Sequence, residues 1–169
     1  MIRTALDALY RLSGGLAALC LLAIGVVVVL QIFGRIFNFV VDSTEIAGFF
    51  LAASSFLGLG YALRHGSHIR VNMLIATSSP VRRWLLEMWC CACAALIVGF
   101  LAWHVTLFTM ESYEFGDLSP GLAAIPFWIP QSGMAAGLVI MTIALLDELV
   151  SVARGNKPSY EGASDAALE

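Results

Sequence analysis

Leu12-Ser13-Gly14-Gly15-Leu16-Ala17-Ala18-Leu19-Cys20-Leu21-Leu22-Ala23-Ile24-Gly25-Val26-Val27-Val28-Val29-Leu30-Gln31-Ile32-Phe33-Gly34 is a run of 23 residues without one Asp, Glu, Lys or Arg. At about 1.5 Å per helical residue it crosses the roughly 30 Å hydrocarbon core of a bilayer. Three more such runs follow, Ile46–Leu63, Met88–Met110 and Leu118–Leu146, of 18, 23 and 29 residues. The whole chain is 60% hydrophobic and 12% charged, with a mean hydropathy of +0.88. A soluble domain carries about 25% charged residues. These patterns predict an all-α membrane protein with four transmembrane helices, spanning about residues 12–34, 46–63, 84–110 and 126–150. The four helices form one domain over residues 1–152, and the polar tail over 153–169 is expected to be disordered.

The first run is expected to be a retained span. A signal peptide has an apolar core of about 7–15 residues and a small-residue cleavage site. Here the run continues to Ile32-Phe33-Gly34-Arg35 without an A-x-A-like site. Arg3 and Arg11 precede it, with Asp7, Leu6, Leu9 and Tyr10 suggesting a short amphipathic lead-in helix.

Orientation follows from the basic residues. Arg3, Arg11, Arg64, Arg70, Arg82, Arg83, Arg154 and Lys157 fall on one side, and Arg35 alone on the other. The positive-inside rule therefore puts both termini in the cytoplasm. The outer connections are acidic, with Asp42, Glu45, Glu111, Glu114 and Asp117. Such loops either simply cross membranes easily or help to dock a partner outside the membrane.

The connections carry helix punctuation. Asp42-Ser43-Thr44-Glu45 resembles a capping box, Arg64 and Gly66 suit the end of helix 2, and Ser79-Pro80 suits the start of helix 3. Arg83 and Glu87 stand four apart, where they can pair. Ser67–Ala76 is too short and polar to span; its Ile69, Met73 and Ala76 share a face, which suggests a short interfacial helix between helices 2 and 3. Pro126 and Pro130 limit where helix 4 begins, since neither can donate a backbone N–H. Trp128 suits the outer interface belt.

The apolar intervals contain little chemistry. Gln31, His104 and Gln131 are their only strongly polar side chains, and no interval holds a carboxylate or a cation. An ion-coupled carrier places carboxylates, histidine chains or broken helices near the midplane. The chain is thus poorly equipped to transport alone, which points to an accessory or scaffold role, without catalysis or cofactor. His65, His68 and His104 would have to face one another to hold haem, yet they fall near opposite membrane sides. Cys20, Cys90, Cys91 and Cys93 read as small apolar packing, because neighbours on one helix point about 100° apart. Helix 2 is rich in Gly, Ala and Ser, and Gly133-Met134-Ala135-Ala136-Gly137 is a GxxxG. Small residues let helix backbones approach in lipid. That seam serves either the chain's own packing or a larger membrane partner.

Three segments resemble a known family. Gln31-Ile32-Phe33-Gly34-Arg35-Ile36-Phe37-Asn38 and Gly58-Leu59-Gly60-Tyr61-Ala62-Leu63-Arg64-His65-Gly66-Ser67-His68-Ile69-Arg70-Val71 are similar to the small membrane subunit of tripartite ATP-independent periplasmic (TRAP) transporters. Ser119-Pro120 through Pro126-Phe127-Trp128 resembles its approach to helix 4. The likeness covers about residues 5–152. There are two departures: Ser43, Thr44, Glu45 and Ile46 stand where the family often has Trp and two acids, and Asn72 stands where it often has Asp. Glu45 is left to pair, for example with Arg35.

The resemblance implies a subunit of the bacterial inner membrane within an importer of organic anions, carboxylates or sulfonates. A large multi-span elevator-type subunit would carry the substrate on a sodium gradient, and a periplasmic substrate-binding protein would deliver it. The small subunit would widen the large one's scaffold and help dock the binding protein. Substrate and sodium sites would lie on the large chain. Arg35 and Glu45 are then candidates for outer-side structure or docking. Arg64, His68 and Arg70 are candidates for anchoring to lipid headgroups or the large subunit, and Gly133 and Gly137 for a partner seam. The competing expectation is a haem-binding membrane anchor of a redox enzyme, which would show a Soret band.

Overall fold

The computed structural model describes residues 2–38, 43–65, 80–121 and 123–155. Among the described residues are four long helices: α1 Ile2–Ile36, α2 Ser43–Arg64, α3 Pro80–Phe115 and α4 Trp128–Ala153. Each is long and apolar enough to cross a membrane. The all-α, four-span reading of the sequence is borne out. Val26–Val29 would favour a strand in water, but in lipid every backbone N–H must be bonded within its own segment, so the run is helical. The proposed lead-in is continuous with the span, since α1 is unbroken from Ile2. With 36 residues, α3 is about 54 Å long at helical rise, so it tilts or projects beyond the hydrocarbon.

The helices stand in the spatial order α1–α2–α4–α3. α2 packs on both α1 and α4, α4 packs on both α2 and α3, and α1 barely meets α4. The two middle helices therefore carry small residues on two faces. Between α1 and α2, the Ser13 hydroxyl donates to the Leu57 carbonyl at 2.7 Å and Ser54 donates to the Ala17 carbonyl at 3.0 Å. These reciprocal bonds tie each helix to the other's backbone where no water competes. The apolar core gathers Tyr10 of α1, Leu63 of α2, Ala95 of α3 and Met141, Ala144 and Leu145 of α4. α1 and α3, at the edges of the row, expose large apolar side chains such as Leu22, Phe33, Leu96 and Phe100.

The ends of the row differ. At the end holding the start of α1 and the end of α4, Asp7, Arg64 and Asp147 converge. At the opposite, loop end, α3 closes on Gly116 with φ +67°, and the Asp117 N–H reaches back to the Ser112 carbonyl at 3.2 Å. That left-handed residue and 6→1 bond turn the chain out of the helix. The interfacial helix expected over 67–76, the caps at Asp42 and Gly66, and the tail from residue 156 lie outside the described residues.

Candidate functional site

The charged end is assembled from three helices. Arg64, in the last turn of α2, directs one guanidinium nitrogen to Asp7 of α1 at 3.2 Å and another to Asp147 of α4 at 3.2 Å. Glu148 lies 4.0 Å away and is 2% exposed. The guanidinium carbon stands 5.9 Å from the ring centre of Tyr10, itself buried. A planar fork of donors can serve two carboxylates at once, which a point-charge ammonium cannot do with the same geometry. The cluster thus clamps α1, α2 and α4 at one membrane depth. Beside it, Arg83 meets Glu87 at 3.1 Å, the pair expected from their spacing. Between them in sequence, the Trp84 indole donates to the Val152 carbonyl at 3.0 Å, fixing the start of α3 to the end of α4.

The loop end is built on a short closed turn. The Ser119 N–H donates to the Ile125 carbonyl at 2.9 Å, and the Ile125 N–H returns a bond to the Ser119 hydroxyl at 3.1 Å. The Phe127 N–H donates to the Asp117 carbonyl at 3.0 Å. Trp128 then opens α4 and packs edge-on against Tyr113, ring centres 5.6 Å apart. Pro130 falls in the first helical turn, where a missing N–H has no partner to lose. Glu45 of α2 lies against Gly121 so closely that a Cβ there would overlap its carboxylate.

The other candidates from the sequence separate. Arg35 is exposed, and among the described residues no ion pair joins it to Glu45. The pairing suggested for these two is not formed, because Glu45 is turned towards the 116–127 loop. Gly133 meets the Ala53 side chain, and Gly137 meets the peptide between Phe56 and Leu57. Both glycines are therefore taken up by the chain's own α2. His65 stacks on Tyr61 at 3.9 Å between ring centres, at the charged end. His104 lies beside Phe100 on α3, about 30 Å along the helix from Trp84. His68 and Arg70 lie outside the described residues. Cys91 is buried and Cys90 exposed, as adjacent positions on one helix require.

From the sequence, Asp7 and Tyr10 read only as part of a lead-in helix, and Asp147 and Glu148 were not singled out. A signal existed: in an up-and-down row, the starts of odd helices and the ends of even ones share a membrane face. Asp7, Arg64 and Asp147 stand at such positions.

Residues 24–155 match the family model described as the DctQ component of tripartite ATP-independent periplasmic transporters. The chain belongs to the DctQ family. A DctQ relative, the ectoine TRAP transporter small permease protein TeaB of Halomonas elongata, is 26% identical over 95 residues, which are 54% of this chain and 49% of the relative. The chain thus spans about half the length of the curated relative it matches. The DctQ match includes α2, α3 and α4 entire and begins within α1 at Ile24, so Asp7 and Tyr10 precede it. As a DctQ protein, the chain is a small TRAP transporter subunit and a multi-pass protein of the inner membrane.

Proposed function

We propose that this chain is the scaffold subunit of a TRAP-type importer of organic anions, carboxylates or sulfonates. It associates with a large elevator-type membrane subunit and helps dock a periplasmic substrate-binding protein. Both termini face the cytoplasm, and the loop end built on Glu45, Gly121 and Trp128 faces the periplasm. Sodium and substrate are bound by the large subunit. The relative is named for ectoine; the residues that would choose the substrate lie on the other chains.

The observation that carries this reading is the DctQ match over residues 24–155. The geometry supports it. The edge helices α1 and α3 expose broad apolar faces, and Gln31 and His104 are exposed on them. Polar side chains at membrane depth face protein or water far more readily than lipid tails. Arg35 and Glu45 belong to the periplasmic end; Arg64, His68 and Arg70 anchor the cytoplasmic end.

The test is a pull-down of the tagged chain from native membranes in mild detergent, with every co-purifying protein identified by mass. A stoichiometric multi-span partner is the expected result. Recovery alone, or with a soluble redox enzyme and a coloured cofactor, would overturn the reading. Arg70→Glu should lower the yield of the complex; unchanged assembly and uptake would remove that residue from the anchor.

A further inference from the structure

At the charged end, α1 and α4 leave a cleft of about 460 Å³ between them, because α2 holds them apart. Its rim carries Arg3 from the first turn of α1 and Arg154 just past the end of α4. Both are exposed, and among the described residues neither takes part in an ion pair. Its walls are aliphatic: Leu6, Ile143, Leu146 and Val150. Leu146 and Val150 remain 48% and 46% exposed, so among the described residues none closes the cleft. Asp147 also lines it, but its carboxylate is turned to Arg64 at 3.2 Å, so the cations at the rim are Arg3 and Arg154. Two cations above an apolar trough, at the end of membrane-spanning helices, match an amphiphile with an anionic head.

We propose that this cleft holds an anionic phospholipid, with its phosphate between Arg3 and Arg154 and its acyl chains along Leu6, Ile143, Leu146 and Val150. The volume suits a headgroup and the first methylenes, while the remaining chain length lies in the bilayer. The lipid fills a gap between two helices that barely touch, so it completes the packing of α1 on the row. The arginines select charge, and the aliphatic wall selects a lipid over a free anion. The site rests on this chain's own cleft and stands whether or not the transporter reading holds.

The full-length protein, purified in mild detergent, is titrated with phosphatidylglycerol or phosphatidylcholine and read by native mass spectrometry. Phosphatidylglycerol is expected to be retained preferentially. The double variant Arg3→Gln/Arg154→Gln should weaken its retention about 25-fold, a factor of roughly five for each arginine near an anionic headgroup. Leu146→Trp, which fills the trough and keeps both arginines, should also lower retention without moving the melting temperature. Equal retention of the two lipids, or undiminished phosphatidylglycerol binding by the double variant, would overturn the proposal. Displacement of the lipid by millimolar inorganic phosphate would overturn it in favour of a free-anion site. A double variant that loses a co-purified protein but keeps its lipid would reassign the arginines to a partner interface.

Discussion

Arg64 stands 3.2 Å from both Asp7 and Asp147, and the two carboxylates differ in exposure, 44% against 23%. Solvent screens the more exposed pair, so Asp147→Asn should destabilise the protein more than Asp7→Asn. Arg64→Met removes the shared partner of both and should cost roughly 1–3 kcal/mol, below the range for wholly buried pairs. Thermal unfolding in detergent ranks the three variants; equal losses for the two Asn variants would contradict the burial argument. Gly137 gives a sharper case, because a Cβ there would enter the peptide between Phe56 and Leu57. Backbone cannot step aside as a flexible side chain can, so Gly137→Ala should cost about 1–3 kcal/mol as overpacking. Gly48→Ala, where nothing lies within 4 Å, serves as the neutral control in the same assay. Arg64 was legible in the sequence as a cation ending a helix. Its partners were not, since Asp7 and Asp147 lie 57 and 83 residues away.

α2 and the 116–127 loop meet through Glu45 and Gly121, and that contact couples two elements distant in sequence. Gly121→Ala drives a methyl into the Glu45 carboxylate, so it should lower the melting temperature. Combining it with Glu45→Ala should recover part of the loss, because residues in contact are non-additive. Strict additivity in this cycle would show that the loop shifts independently of α2. The loop has its own internal lock: Ser119→Ala removes the acceptor of the Ile125 N–H and should cost about 1 kcal/mol. The Ser-Pro opening and the later prolines marked this stretch as non-helical from sequence alone. The contact with α2 could not be read from them, because it depends on how α2 and α4 are juxtaposed. The small residues of α2 show the same division. Their abundance was visible, but their assignment to an α1 face and an α4 face needed the helices in place.

The four described helices form an open row with α1 and α3 at its edges. An open row leaves two apolar flanks that a closed bundle would have buried, and those flanks are available to lipid or to a larger membrane subunit. The proposed orientation makes a direct prediction. In a variant without its native cysteines, Glu114→Cys should react with an impermeant maleimide in intact spheroplasts, while Arg154→Cys should react only after lysis. The reverse pattern would invert the protein and move the charged end to the periplasm.

The sequence by itself determined that this chain crosses a membrane four times as helices. Backbone polar groups cannot go unpaired in hydrocarbon, and uncharged runs of this length admit no other structure. It also carried enough motif, from Gln31 to Trp128, to point to the TRAP small subunit before any fold was known. Tertiary structure alone decided which helices are neighbours, which carboxylates Arg64 serves, and that Gly133 and Gly137 pack against α2. The reason is physical: periodicity and charge set the depth of each residue in the bilayer, but lateral neighbours depend on backbone approach. That approach was settled by close contacts such as Gly137 on the Phe56 peptide and Ser13 on the Leu57 carbonyl, both between residues far apart in the chain.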